Sequence, residues 1–98
     1  RFMKIAELAK GMSGISLQAK VIDISEKREV QTRYGRRTVA DVLLEDDTGQ
    51  ILLSLWEDKI DAVSVGDTLN ITGAFVTEFK QRMQLNVPRT GKIEIVKE

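Results

Sequence analysis

The sequence predicts an all-β domain: a five-stranded Greek-key barrel with one short helix between the third and fourth strands. Three observations predict it. Five segments carry apolar residues at the two-residue period of a half-buried strand. The first of these is long and changes phase between Val21 and Ile22, as in a strand bent round a barrel corner. Between the third and fourth segments lies a short stretch with helical spacing.

Each element follows from its residues. Met3 to Lys10 has Ile5, Ala6, Leu8 and Ala9 among charged neighbours, which suits one or two helical turns or a packed lead-in; Gly11 to Gly14 breaks it. Ile15, Leu17, Ala19 and Val21 alternate with polar residues, and the first strand runs on to about Val30. Gln31 to Arg36 is a polar turn around Tyr34-Gly35. Arg37 to Glu45 is the second strand and Gln50 to Trp56 the third. Asp46-Asp47-Thr48-Gly49 between them reads as a tight hairpin turn, in which Gly49 can take a positive φ. The register sends Ile51, Leu53 and Leu55 to one face, and Leu52, Ser54 and Trp56 to the other. Glu57 to Val63 spaces Ile60 and Val63 by one turn, with acids in the first turn of a short helix. Thr68 to Val76 is the fourth strand and contains Gly73, a bulge signal. Glu78 to Arg82 is a charged loop, Met83 to Val87 the fifth strand, and Lys92 to Val96 a short final one. This order, βββαββ with a long bent first strand, is that of the OB-fold barrel, against which an unclosed sandwich is the alternative. Residues 1–14 are expected to pack on the barrel as a lead-in, and residues 15–98 to form the single domain.

A chain of 98 residues with 42% hydrophobic composition can build one modest core. It has no cysteine and no histidine, which removes disulfides, thiolate or imidazole metal sites and nearly all Cys- or His-based catalysis. The adjacent acids Asp46-Asp47 and Glu57-Asp58 point in different directions on a turn or strand, so neither pair suits acid–base or metal chemistry. Ser54 and Ser64 have no histidine to serve as base. No cofactor is expected, and no apolar run approaches the roughly 20 residues that cross a bilayer. With no export signal visible, the expected location is cytoplasmic, in association with the nucleoid.

Lysine and arginine balance aspartate and glutamate at 15 each, but unevenly along the chain. Arg28, Arg33, Arg36 and Arg37 stand against Glu29 alone; Lys80, Arg82, Arg89 and Lys92 stand against Glu78 alone. Two basic segments on an acidic body polarise the surface if they meet in space. The few aromatics fall in suggestive places. Trp56 lies on the outer face, Tyr34 at a turn tip, and Phe79 beside Lys80. Phe75 shares the inner phase of Leu69 and Ile71 unless a bulge at Gly73 turns it outward. A positive groove with aromatic faces is what holds single-stranded nucleic acid. In an OB barrel the loops at 31–36 and 78–82 flank the face of the second and third strands. The arginines and aromatics can therefore converge on one groove, with Gln84 and Asn86 available to bases or sugars.

Arg28, Gln31-Thr32, Gly35, Arg37-Thr38, Asp47-Thr48-Gly49, Leu55-Trp56, Gly66-Asp67, Phe75, Phe79-Lys80 and Gln84-Leu85-Asn86 together resemble the archaeal single-stranded DNA-binding proteins and the OB domains of archaeal replication protein A. The resemblance covers about residues 3–96. It implies single-stranded DNA binding in replication, recombination or repair, with bases stacked on Trp56, Phe75 and Phe79. A tryptophan often stands in that family where this chain has Phe75. The Gly/Arg-rich or acidic tail that some single-OB members carry for partner proteins is absent, which leaves open both a whole single-OB protein and one OB domain of a longer one. The expected site is thus Trp56, Phe75 and Phe79 with Arg28, Thr32, Arg33, Tyr34, Arg36, Arg37, Lys80, Arg82, Gln84 and Asn86. The expected partners are single-stranded DNA and replication or repair proteins, with no membrane. Protein–protein assembly in a replication protein A-like complex and single-stranded RNA binding are the alternatives.

Overall fold

The computed structural model describes residues 1–97. Seven strands form: β1 (Ile15–Ile24), β2 (Arg28–Thr32), β3 (Gly35–Asp46), β4 (Gly49–Trp56), β5 (Thr68–Phe79), β6 (Arg82–Asn86) and β7 (Lys92–Ile95). Five of them close a ring. β1 pairs antiparallel with β3, β3 with β4, β6 with β5, and β5 with β1, while β4 and β6 run parallel. The closed five-stranded OB barrel follows from the alternation, because each inward face finds the same core. Leu17, Val21, Val42, Leu44, Leu53, Leu69, Ile71 and Leu85 are wholly buried.

The bend expected in the first strand is present: the β1–β3 register slips between Val21 and Asp23. The strand does not continue to Val30, however. Ser25 leaves the ladder, its N–H donating to the Asp41 carbonyl at 2.8 Å and its Oγ accepting from the Asp41 N–H at 2.9 Å. The chain resumes as β2, which pairs with β3 and lengthens that hairpin beyond the barrel. β7 is the short final strand, antiparallel to β5.

The segment after the third predicted strand is helical, but as a 3₁₀ helix over Glu57–Ala62 rather than an α-helix. Six residues are too few to gain much from α-helical bonding, and Glu57 enters with a φ of 54°. The helix still buries Ile60, and Val63 follows it into the core. At the other end of the chain a 3₁₀ turn over Ile5–Glu7 and the residues after it bury Ile5 and Leu8 against the barrel. Gly11 and Met12 then bond to the backbone of Val76.

The Asp46–Gly49 turn has a role beyond closing β3 to β4. Asp46 Oδ1 accepts from the Thr48 N–H at 2.7 Å, the Thr48 hydroxyl at 2.6 Å and the Gly49 N–H at 3.2 Å. Its Oδ2 accepts from the Ile5 N–H at 2.8 Å, and Thr48 Oγ1 accepts from the Ala6 N–H at 3.0 Å. Lys4 Nζ lies 2.8 Å from Asp47 Oδ1. The turn therefore caps the 3₁₀ turn's free donors and holds the lead-in in place. With this carboxylate organising the loop, Gly49 does not take the positive φ expected of it and sits as the first residue of β4.

Gly73 is where glycine is needed. Its φ is 76°, and a Cβ there would stand 3.1 Å from Gly91 Cα. The bulge it makes shifts the inward phase of β5. Leu69 and Ile71 face the core before it, and Ala74 and Val76 after it.

Candidate nucleic-acid interface

The bulge at Gly73 decides the position of Phe75. With Ala74 and Val76 buried, Phe75 faces outward and is half-buried on the surface. In the β5–β6 ladder Phe75 pairs with Asn86, Thr77 with Gln84, and Phe79 with Arg82; none of these points into the core. The parallel β4–β6 ladder places Leu52 beside Gln84, and the β3–β4 ladder places Asp41 opposite Ser54 and Val39 opposite Trp56. Residues paired side by side share a face. Trp56, Phe75 and Phe79 therefore lie on one continuous outer face of β3-β4-β6-β5. Trp56 is 39% exposed and Phe79 68%. Val39 shares this face yet is buried, lying outside the core cluster as an apolar patch of the floor.

The floor between the aromatics is polar and already bonded. Arg28 donates through both terminal nitrogens to Asp41, at 3.2 and 3.4 Å. Gln84 Nε2 donates to Asp41 Oδ1 at 3.1 Å and to Ser54 Oγ at 2.8 Å. Asn86 Nδ2 donates to Thr77 Oγ1 at 3.0 Å. The amide nitrogens of Gln84 and Asn86, expected to serve bases or sugars, are thus engaged within the sheet. So is Thr32, whose hydroxyl donates to the Gly35 carbonyl at 2.7 Å and accepts from the Tyr34 N–H at 3.1 Å. It shapes the turn that presents Tyr34.

The basic residues divide into two sets. Arg28 is paired to Asp41, Arg36 to Glu29 at 3.5 Å, and Arg37 to Glu57 at 3.9 Å. Arg36 also alternates with Arg37 along β3, so the two point to opposite faces and Arg36 turns away from Trp56. Arg33, Lys80, Arg82 and Arg89 make no ion pair among the described residues. Arg33 and Lys80 sit by aromatic rings instead, 5.9 Å from the Tyr34 centroid and 5.3 Å from that of Phe79. At exposed sites such contacts are weak, about 0.5–1 kcal/mol, so a base can displace or share them.

The expected charged loop at 78–82 contracts to a two-residue turn, Lys80-Gln81, with Phe79 and Arg82 in the flanking strands. At the opposite side of the face, a cleft of about 480 Å³ lies between Tyr34 and Trp56, walled by Arg33, Arg37, Glu57 and Arg89. Arg89 was countable in the second basic segment, but its neighbour was not legible. The parallel pairing of β4 with β6 carries the chain through Pro88 to the side of Trp56, and a second cleft lines all three. Asp41 and Ser54, which tie the floor together, are likewise findings of the fold.

No cluster of histidine, cysteine or carboxylates able to hold a metal occurs among the described residues, nor any helix long and apolar enough to cross a membrane. Comparison with known proteins gives the fold a family. Residues 8–95 match the family model of the Ssb-like single-stranded DNA-binding proteins with an OB fold. The chain is 32% identical over 90 residues to the single-stranded DNA binding protein Ssb of Saccharolobus solfataricus, covering 92% of this chain and 61% of that protein. It is 33% identical over 94 residues to replication factor A of Methanothermobacter thermautotrophicus, covering 95% of this chain and 12% of that protein. It thus spans only part of the length of either relative. Among solved structures, the OB domain of Ta0387 from Thermoplasma acidophilum superposes with a TM-score of 0.84 at 25% identity, covering 97% of this chain and 86% of that one. The resemblance to archaeal single-stranded DNA-binding proteins and replication protein A domains is borne out, and this chain belongs to the Ssb-like OB-fold family, a DNA-binding rather than a catalytic one.

Proposed function

We propose that this domain binds single-stranded DNA without strong sequence preference, across the outer face of β3-β4-β6-β5, in replication, recombination or repair. One observation carries the reading: three aromatics from two strands share one face, and cations with no ion pair among the described residues stand around it. Bases stack on Trp56, Phe75 and Phe79, each contributing on the order of 1–3 kcal/mol, and Tyr34 offers a fourth ring at the turn tip. Phosphates run along Arg33, Lys80, Arg82 and Arg89. Arg28 and Arg37, held by Asp41 and Glu57, shape the floor more than they neutralise the strand, and Arg36 lies outside the path. Gln84 and Asn86 brace the sheet beneath the bases. The acid at the centre, Asp41, keeps phosphates to the rims.

The test is a titration of Trp56 fluorescence with short oligo-dT over a range of salt. Quenching is expected, with four unpaired cations giving a log–log salt slope of about −3, at roughly −0.7 per phosphate. No quenching at low salt would favour protein–protein assembly as the domain's use. Equal affinity for duplex would sink the stacking mechanism, and tighter binding of RNA of the same sequence would move the reading to RNA.

A further inference from the structure

Among the described residues, three that are not glycine have positive φ: Glu57, Lys80 and Gln81. All three directly follow an exposed aromatic of the proposed groove, Glu57 after Trp56 and Lys80-Gln81 after Phe79. A side chain in that region costs energy that glycine avoids, and such residues gather at functional sites. Lys80-Gln81 is the two-residue loop of the β5–β6 hairpin, whose twist favours positive φ at both places. Glu57 has no hairpin to turn; it opens the 3₁₀ helix after β4 with a φ of 54°. Its contacts within the chain do not account for the cost. Oε1 accepts from the Thr38 N–H at 3.3 Å and lies 3.9 Å from Arg37 Nη1, both long for their kind. Oε2 accepts no hydrogen bond among the described residues. Yet Glu57 walls the cleft of about 480 Å³ between Tyr34 and Trp56, together with Arg37 and Arg89. Small ligands occupy clefts of about 300–1,000 Å³. An acid repels a phosphate, so the part of a strand that suits this wall is a base, and carboxylates read bases by accepting from exocyclic amines.

We propose that this cleft is a base pocket that favours an amino-bearing base over thymine, with Glu57 accepting a hydrogen bond from the amine. The inference rests on the aromatic face being the single-strand site, and it adds a preference at one position of an otherwise tolerant groove. Cytosine is the clearest case, because it matches thymine in size. Its N4 amine offers two N–H donors at the end of the pairing edge, with N3 and O2 beside it as acceptors. Arg89, which has no ion pair among the described residues, supplies donors for those acceptors from the same wall. Thymine has a carbonyl where cytosine has the amine. Its one donor, N3–H, lies between two carbonyl oxygens that a carboxylate repels. The rings of Tyr34 and Trp56 hold a base without choosing it, since every base has a π-face. The choice therefore falls to Glu57.

The experiment compares, by Trp56 fluorescence, a short oligo-dT with the same strand carrying one internal dC. The protein can shift along the strand to seat that base. The strand with dC should bind about fivefold tighter. The gain should vanish when the dC is replaced by its 2-pyrimidinone analogue, which lacks the amine. Glu57→Gln keeps an acceptor for the Thr38 N–H and adds a donor that suits the thymine carbonyl. It should bring the two strands within about twofold of each other. Glu57→Gly relieves the positive φ, and should raise the midpoint of urea unfolding while losing the gain. Equal affinity of the two strands for the unaltered protein, a gain that survives Glu57→Gln, or a gain kept by the analogue would overturn the proposal and leave the stacking mechanism standing. No quenching by any of the strands would overturn both.

Discussion

Two hairpins of this barrel close with two-residue loops and use opposite turn chemistry. At Asp47-Thr48 the Asp46 carboxylate collects four donors, the loop has no positive φ, and the lead-in rests on it. At Lys80-Gln81 both loop residues have positive φ, 52° and 66°, and neither is glycine or asparagine. Positive φ at both positions matches the right-handed twist of the strands, but a side chain there costs on the order of 1–2 kcal/mol. The first turn holds another part of the molecule. The second holds nothing; it carries an exposed Phe79 and Lys80 to the rim of the proposed groove. Two loops of equal length thus divide stability from presentation.

The largest effect that would break this comparison is expected at the first turn. Asp46→Ala removes the acceptor for donors on Ile5, Thr48 and Gly49, and should lower stability by about 2–3 kcal/mol in urea unfolding. DNA affinity, measured where the variant is still folded, should be unchanged. Phe79→Ala should do the reverse, weakening oligo-dT binding by about 1–2 kcal/mol with an unaltered unfolding midpoint. A lowered midpoint would mean that Phe79 supports the fold despite its exposure. Gln81→Gly removes a strained side chain and should stabilise the protein by about 1 kcal/mol, whereas Thr48→Gly, which loses bonded groups, should destabilise it. If Gln81→Gly also weakens binding, the strained turn fixes the direction of Phe79.

The smallest effect separates the two turns by pH. Burial alone pushes the Asp46 carboxyl up, but hydrogen bonds from the Thr48 hydroxyl and from the N–H groups of Ile5, Thr48 and Gly49 outweigh it. They hold the carboxyl below its ordinary value of 3.8. A lowered pKa in the folded state means stability that is fully present above the ordinary value and lost as pH falls through the lowered one. Unfolding measured at stepwise lower pH should therefore show a loss below about pH 4 that Asp46→Asn lacks. Gln81→Gly should leave that loss as it is.

The strands were legible because alternation is a local property. Ile51, Leu53 and Leu55 share a phase that buries them, and that phase sends Trp56 outward whatever else the chain does. Phe75 was legible only as a choice, since one glycine bulge reverses its face. The groove itself was legible in outline, as two basic segments with aromatics among them. Which of those cations are unengaged was not, because the acids that hold Arg28 and Arg37 are 13 and 20 residues away along the chain.

By itself the sequence determined an all-β domain without the side chains for common catalysis, a bent first strand, and an outward tryptophan ending a hairpin. These rest on residue type and on the two-residue period, which need no knowledge of distant neighbours. The tertiary structure alone decided that β6 lies parallel beside β4, that Arg89 therefore reaches Trp56, and that Gln84 bonds Asp41 across 43 residues. It also left one edge of β7 without a strand partner among the described residues. Such facts depend on which segments become neighbours when the barrel closes, and closure joins residues whose local patterns carry no mark of one another.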